Sequence, residues 1–155
     1  LRKHMRVSEA EISYKATLNE VDGRSLNEPD KVYEYLKDIN ELYPVQETFW
    51  VVFLTTRRHP IARLLVTIGT ATSSLAHPRE VFKGAILAGA VSIIVAHNHP
   101  SGDPEPSSAD IQITRQLREA GRILGIEVCD HIILGRPEID PSGRGYYSFR
   151  MAGLM

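Results

Sequence analysis

Cysteine is almost absent from this chain. One residue, Cys129, stands among 155, so no internal disulfide framework is available and the composition fits a reducing compartment. The same scarcity excludes any metal cage that draws two thiolates from this chain. Long apolar runs are missing too: none approaches the roughly 18–20 residues of a membrane span, and the start shows no secretory pattern. Charge of one sign is not in excess. Lys and Arg total 18 against 19 Asp and Glu, for a formal net charge of -1, which leaves no global basic field for nucleic acid. Repeats, low-complexity tracts and linkers are lacking as well. These absences predict a soluble, cytoplasmic globular protein with no membrane partner. The length suits one domain with a sizeable core. Residues 1–10 read as a flexible tail or expression remnant, and residues 11–155 as the domain.

What is present is an alternation of strand and helix signals. Residues 11–18 alternate, with Ile12, Tyr14, Ala16 and Leu18 on one face, and predict a first strand. A turn follows at residues 21–24. Pro29 in a first turn starts a helix to about Asn40, with Val32, Tyr35 or Leu36, and Ile39 as its apolar stripe. Residues 47–54 form a very hydrophobic strand, and residues 62–68 its hairpin partner. A loop of small and polar residues occupies 69–76. His77 and Pro78 open a helix with Val81 or Phe82, Ala85, Ile86 and Ala88 inward, and residues 91–96 form a buried strand. From Ser108 a helix runs to Gly125 with Ile113, Leu117, Ala120 and Leu124 on one face and Arg115, Arg118 and Arg122 on the other, solvated face. Residues 126–134 are a further strand, with Cys129 as packing, and residues 146–149 a short edge strand. This order predicts an α/β (α+β) fold, a mixed central sheet flanked by helices.

The chemistry gathers where the strand at 91–96 meets the helix at Ser108. Side chains two apart on an extended strand point the same way, so His97 and His99 converge on one ion if the strand end stays extended. Ser107 and Asp110 alone read as a helix capping box. Beside the histidines, Asp110 adds an oxygen to two nitrogens and leaves a coordination position for water. That is the open arrangement of catalytic rather than structural zinc, and such a donor set is less typical of magnesium or calcium. The adjacent pair Asp130 and His131 face opposite sides of a strand and cannot act together on one atom. A supporting role behind the site is the alternative for them.

His97-Asn98-His99-Pro100, a seven-residue interval counted from His99, then Ser107-x-x-Asp110 resembles the signature of the JAMM metalloproteases, the JAB/MPN domain family. Pro78-Arg79-Glu80-Val81-Phe82-Lys83, Ala96-His97-Asn98-His99-Pro100-Ser101-Gly102, Pro106-Ser107 and Asp130-His131-Ile132-Ile133 resemble its RadC branch more closely. The resemblance implies a JAB/MPN-like, cytidine-deaminase-like three-layer architecture. It implies Zn2+ held by His97, His99 and Asp110, with water in the fourth position. It also calls for an upstream glutamate acting on that water. Glu47, which opens the strand after Gln46, matches that context; Glu80 lies too close in sequence to the histidines. Glu47 would then be the general base and Ser107 the oxyanion donor, although Ser107 also serves as helix cap and both roles draw on one hydroxyl.

The first functional expectation is therefore a zinc-dependent hydrolase of a peptide or isopeptide amide in a protein or peptide substrate. The second is a DNA-repair-associated nucleic-acid-binding or scaffold protein, suggested by the RadC resemblance. Near-neutral charge and the lack of interleaved basic and aromatic residues give it little support. A zinc nucleobase deaminase is excluded, because that class needs His-x-Glu and a Pro-Cys-x-x-Cys pair, where this chain has Asn98-His99 and one cysteine.

Overall fold

The computed structural model describes residue 13, residues 25–69 and residues 76–155. The strand expected at 11–18, the turn at 21–24 and most of the loop at 69–76 lie outside the described residues. The element order is α1 (Pro29–Leu36), α2 (Ile39–Leu42), β1 (Glu47–Leu54), β2 (Pro60–Gly69), α3 (Pro78–Leu87), β3 (Ser92–Asn98), α4 (Ser108–Leu124), β4 (Glu127–Leu134) and β5 (Tyr146–Ser148).

Among the described residues, five strands form one mixed sheet in the order β2-β1-β3-β4-β5. The first two make the expected antiparallel hairpin, and β1 pairs antiparallel with β3 through its other edge. β3 and β4 run parallel, so α4 returns the chain across one face, as a parallel connection requires. β1 reads as an unbroken apolar run because both of its faces are covered. Phe49, Val51 and Phe53 pack with Val81, Phe82, Ile113 and Leu117 of α3 and α4. Trp50, Val52 and Leu54 pack with Val32, Leu36 and Ile39 of the first two helices. The result is three layers: helices, sheet, helices. It is a mixed α+β architecture consistent with a JAB/MPN-like fold.

Four local expectations need correction. The helix expected to run to Asn40 is interrupted after Leu36 and resumes as α2; Asp38, at the break, holds Arg63 of β2 through both carboxylate oxygens at 2.8 and 2.7 Å. Ile86, placed inward from the sequence, is exposed, because Val81, Phe82 and Ala85 already fill that interface. Leu124 is likewise exposed, and Gly121 occupies the buried position one turn earlier. Finally, β3 does not stop at Ala96. It continues through His97 and Asn98, because Phe49 pairs with His97 and Leu134 with Asn98.

The register between β3 and β4 shifts after Ile93 and Val128, leaving Cys129 as an extra residue. Val128 faces the α3/α4 layer, whereas Ile132 and Leu134 face the opposite one. A strand that alternates strictly cannot do this; a bulge resets its phase. The reset turns His131 to the same face as Val95 and His97.

Candidate metal centre

The extension of β3 fixes the histidines. His97 and His99 sit on the same side with their Nε2 atoms 3.1 Å apart. His97 is fully buried and stacks on Phe49 at a centroid distance of 5.9 Å. Asn98 between them points the other way and fastens the start of β1. Its Oδ1 accepts from the Thr48 amide at 2.8 Å and the Thr48 hydroxyl at 2.6 Å, while its Nδ2 donates to the carbonyls of Tyr43 and Gln46. Glu47 lies between those anchors, so Asn98 sets where its carboxylate emerges.

The loop after β3 is folded back onto β4. The His99 amide donates to the Leu134 carbonyl, and the Arg136 amide donates to the Gly102 carbonyl. Gly102 adopts φ +90°, and a Cβ on Gly135 would meet the Gly102 carbonyl oxygen, so two glycines make this close approach possible. The loop presents the Asp103 carbonyl 2.9 Å from His99 Nδ1. That carbonyl can only accept, so His99 Nδ1 carries a proton and its Nε2 is left with a lone pair when the ring is neutral.

The first turn of α4 supplies the carboxylate. Ser107 and Asp110 form a complete capping box: Ser107 Oγ accepts from the Asp110 amide, and Asp110 Oδ2 accepts from the Ser107 amide at 2.8 Å. Among the described residues, Asp110 Oδ1 is buried without any hydrogen-bond partner. It lies 3.1 Å from His97 Nε2, and Oδ2 lies 3.3 Å from His99 Nε2. Glu47 Oε1 stands slightly farther out, 3.7 Å from His97 Nε2 and 3.9 Å from His99 Nε2. Ligand atoms of Glu47, His97, His99 and Asp110 all lie within 4.8 Å of one another. Such a convergence of lone pairs, with one carboxylate oxygen orphaned in the interior, fits a divalent metal ion.

The electrostatics agree. Burial opposes a charge on Asp110, yet the His99 imidazole, which takes up a proton readily, and the Ser107 amide favour the charge, and the carboxyl is held well below the usual carboxylate range. Burial likewise opposes a charge on His99, but Asp110, the Asp103 carbonyl and Glu47 raise its affinity for a proton above the ordinary imidazole value. In the absence of a metal, a proton is the cation these groups attract.

Behind His97 stands a second row. His131 Nε2 lies 2.8 Å from His97 Nδ1, and its Nδ1 lies 2.6 Å from Thr114 Oγ1. Burial drives the His131 pKa well below the ordinary value, and His97 pushes in the same direction. Asp130 faces away and accepts from Ser148 Oγ and from the amides of His131 and Arg150; its carboxyl is raised by burial. The two residues thus do not act on one atom. Sequence reasoning passed over Asn98 and Thr114. The readable signal for Thr114 was a hydroxyl set within the buried stripe of Ile113 and Leu117. Glu80 is remote in chemistry: it pairs with Lys83 at 2.9 Å on the exposed side of α3. Arg115, Arg118 and Arg122 are exposed, and Cys129 is buried, its thiol pushed up by burial.

A family model described as the RadC-like JAB domain matches residues 26–154. The chain belongs to the RadC-like JAB family. Curated relatives include a UPF0758 protein of Thermotoga maritima, 46% identical over 123 residues, which span 79% of this chain and 51% of the relative. Another from Symbiobacterium thermophilum is 45% identical over 140 residues, 90% of this chain and 55% of the relative. One from Bacillus cereus is 48% identical over 111 residues, 72% of this chain and 49% of the relative. The RadC-like chain thus spans about half the length of the curated relatives it matches. None of these names states an activity. Among the described residues, no helix is long and apolar enough to cross a membrane.

Proposed function

We propose that this RadC-like JAB domain is a zinc-dependent hydrolase of peptide or isopeptide amides, acting on a protein or peptide substrate in the reducing cytoplasm. The observation that carries the reading is the orphaned Asp110 Oδ1 facing two imidazole nitrogens. Two nitrogens and one carboxylate are the donor set of an open zinc site. His97, His99 and Asp110 would hold the zinc, which would supply Lewis acidity to a scissile carbonyl and lower the pKa of a water toward about 7.

The chain's own residues do the rest. Glu47 Oε1 stands 3.7 and 3.9 Å from the His97 and His99 Nε2 atoms, too far for a hydrogen bond to either, so its carboxylate is not tied to an imidazole and can accept from a water held beside it. Its carboxylate takes a proton from that water and returns it to the leaving amine. The Ser107 hydroxyl uses an oxygen lone pair to cap α4 and keeps its hydrogen, so it can cap and also donate to a developing oxyanion. Nucleic-acid binding has less support, since the net charge is -1 and the exposed Arg122 is already paired with Glu119.

Elemental analysis and an amide-substrate screen test the reading together. Wild type should hold one zinc per chain and cleave; His97→Ala or Asp110→Asn should lose the metal; Glu47→Gln should keep the metal and lose cleavage. Full zinc occupancy in His97→Ala would sink the site, and loss of cleavage in Glu80→Gln instead would displace Glu47.

A further inference from the structure

The hydrogen bonds behind His97 run in one direction, and that direction can be read from their far end. Thr114 Oγ1 lies 2.6 Å from the carbonyl oxygen of Asp110. Two oxygens at that separation repel unless a proton lies between them, and a carbonyl has none to give. The Thr114 hydroxyl therefore donates to Asp110. With its only proton engaged, Thr114 must accept across the 2.6 Å contact to His131 Nδ1, so His131 carries a proton there. His131 is fully buried and contacts the rings of Phe49 and Phe149, surroundings that disfavour an imidazolium. Its Nε2 is then a lone pair, and it accepts from His97 Nδ1 at 2.8 Å. His97 is left with a bare Nε2, aimed at Asp110 Oδ1 and His99 Nε2.

We propose that Thr114 and His131 are positioning residues that hold His97 in the Nδ1–H tautomer and so present its Nε2 lone pair to the metal. The inference rests on the metal-centre reading above. His99 reaches the same state through one carbonyl, that of Asp103. Among the described residues no backbone carbonyl plays that part for the buried His97, and a two-residue relay stands in its place. The Cys129 bulge belongs to the device, because it turns His131 toward His97. Asp110 closes the circuit at both ends: its carboxylate faces the metal position while its carbonyl anchors Thr114. One turn of α4 thereby sets a ligand and the proton order behind another.

Imidazole nitrogen shifts of the metal-free protein report the tautomer, and competition with a chromophoric chelator reports zinc affinity. Wild-type His97 should show the proton on Nδ1. Thr114→Val deprives His131 Nδ1–H of its acceptor. The His131 proton should then move to Nε2 and donate to His97, whose own proton is driven onto the ligand nitrogen. Zinc affinity should fall by about 10–100-fold. Thr114→Ser keeps the hydroxyl and should restore both the tautomer and the affinity. A wild-type His97 protonated on Nε2 overturns the proposal, as does a folded Thr114→Val with unchanged tautomer and affinity. Should Thr114→Val fail to fold, the wild-type spectrum decides. A wild type that binds no zinc defeats the metal reading alone, while its tautomer still decides the relay.

Discussion

Asn98 shows how much a single side chain carries here. It satisfies the buried Thr48 amide and hydroxyl and two part-buried carbonyls of the segment before β1. Asn98→Ala leaves these groups unpaired and should cost about 2–3 kcal/mol in a urea titration, given roughly 1–3 kcal/mol per stranded buried group and incomplete additivity. The same variant releases the start of β1, so cleavage should suffer more than metal binding. Ser107→Ala removes a helix cap and should cost about 1 kcal/mol, with zinc retained because Asp110 keeps the Ser107 amide. At this scale the sequence was informative about the histidines and Asp110, whose spacing alone suggested convergence. It was silent on Asn98, because an asparagine between two histidines looks the same whether it faces solvent or holds another strand.

At the scale of elements, the candidate site depends on two departures from regularity. The first is the loop between β3 and α4, pressed onto Gly135. Gly135→Ala drives a methyl group into the Gly102 carbonyl. It should cost about 1–3 kcal/mol, the usual range for overpacking, and weaken zinc binding by moving the Asp103 carbonyl away from His99; thermal melting and chelator competition measure the two effects. The second is the bulge at Cys129. Hydrophobic alternation predicted β4 as a strand but not its phase, since Val128 and Ile132 are both apolar and both buried. Which layer each enters is decided by pairing with β3. The same reason explains Leu124, Ile86 and the break after Leu36: helical periodicity names an apolar stripe, but neighbouring elements decide how far along the helix it is covered.

For the whole molecule, the buried imidazoles set the pH dependence of the metal-free protein. His131 has a depressed folded pKa, so its contribution is present above the unfolded value of about 6.5 and lost below it, with a slope approaching 1.4 kcal/mol per pH unit. His99 has a raised folded pKa; its contribution is complete below about 6.5 and lost as pH rises through the folded value. Asp110, strongly depressed, adds a loss only at far more acidic pH. Stability of the metal-free chain should therefore peak close to pH 6.5–7, as urea titrations across pH 4–9 would show. Zinc should abolish the alkaline decline, because the metal takes the place of the His99 proton; a monotonic rise in the metal-free protein through pH 8 would contradict this. By itself the sequence determined the alternation of strands and helices, the types of the candidate ligands and their spacing. Those are local properties, fixed by side-chain period and chain connectivity. Only the tertiary structure decided that Glu47, some 50 residues upstream, reaches the histidines, that His131 turns toward His97, and that Thr114 completes the relay. Those facts depend on strand register and on a bulge, and register is set by pairing between segments distant in the chain.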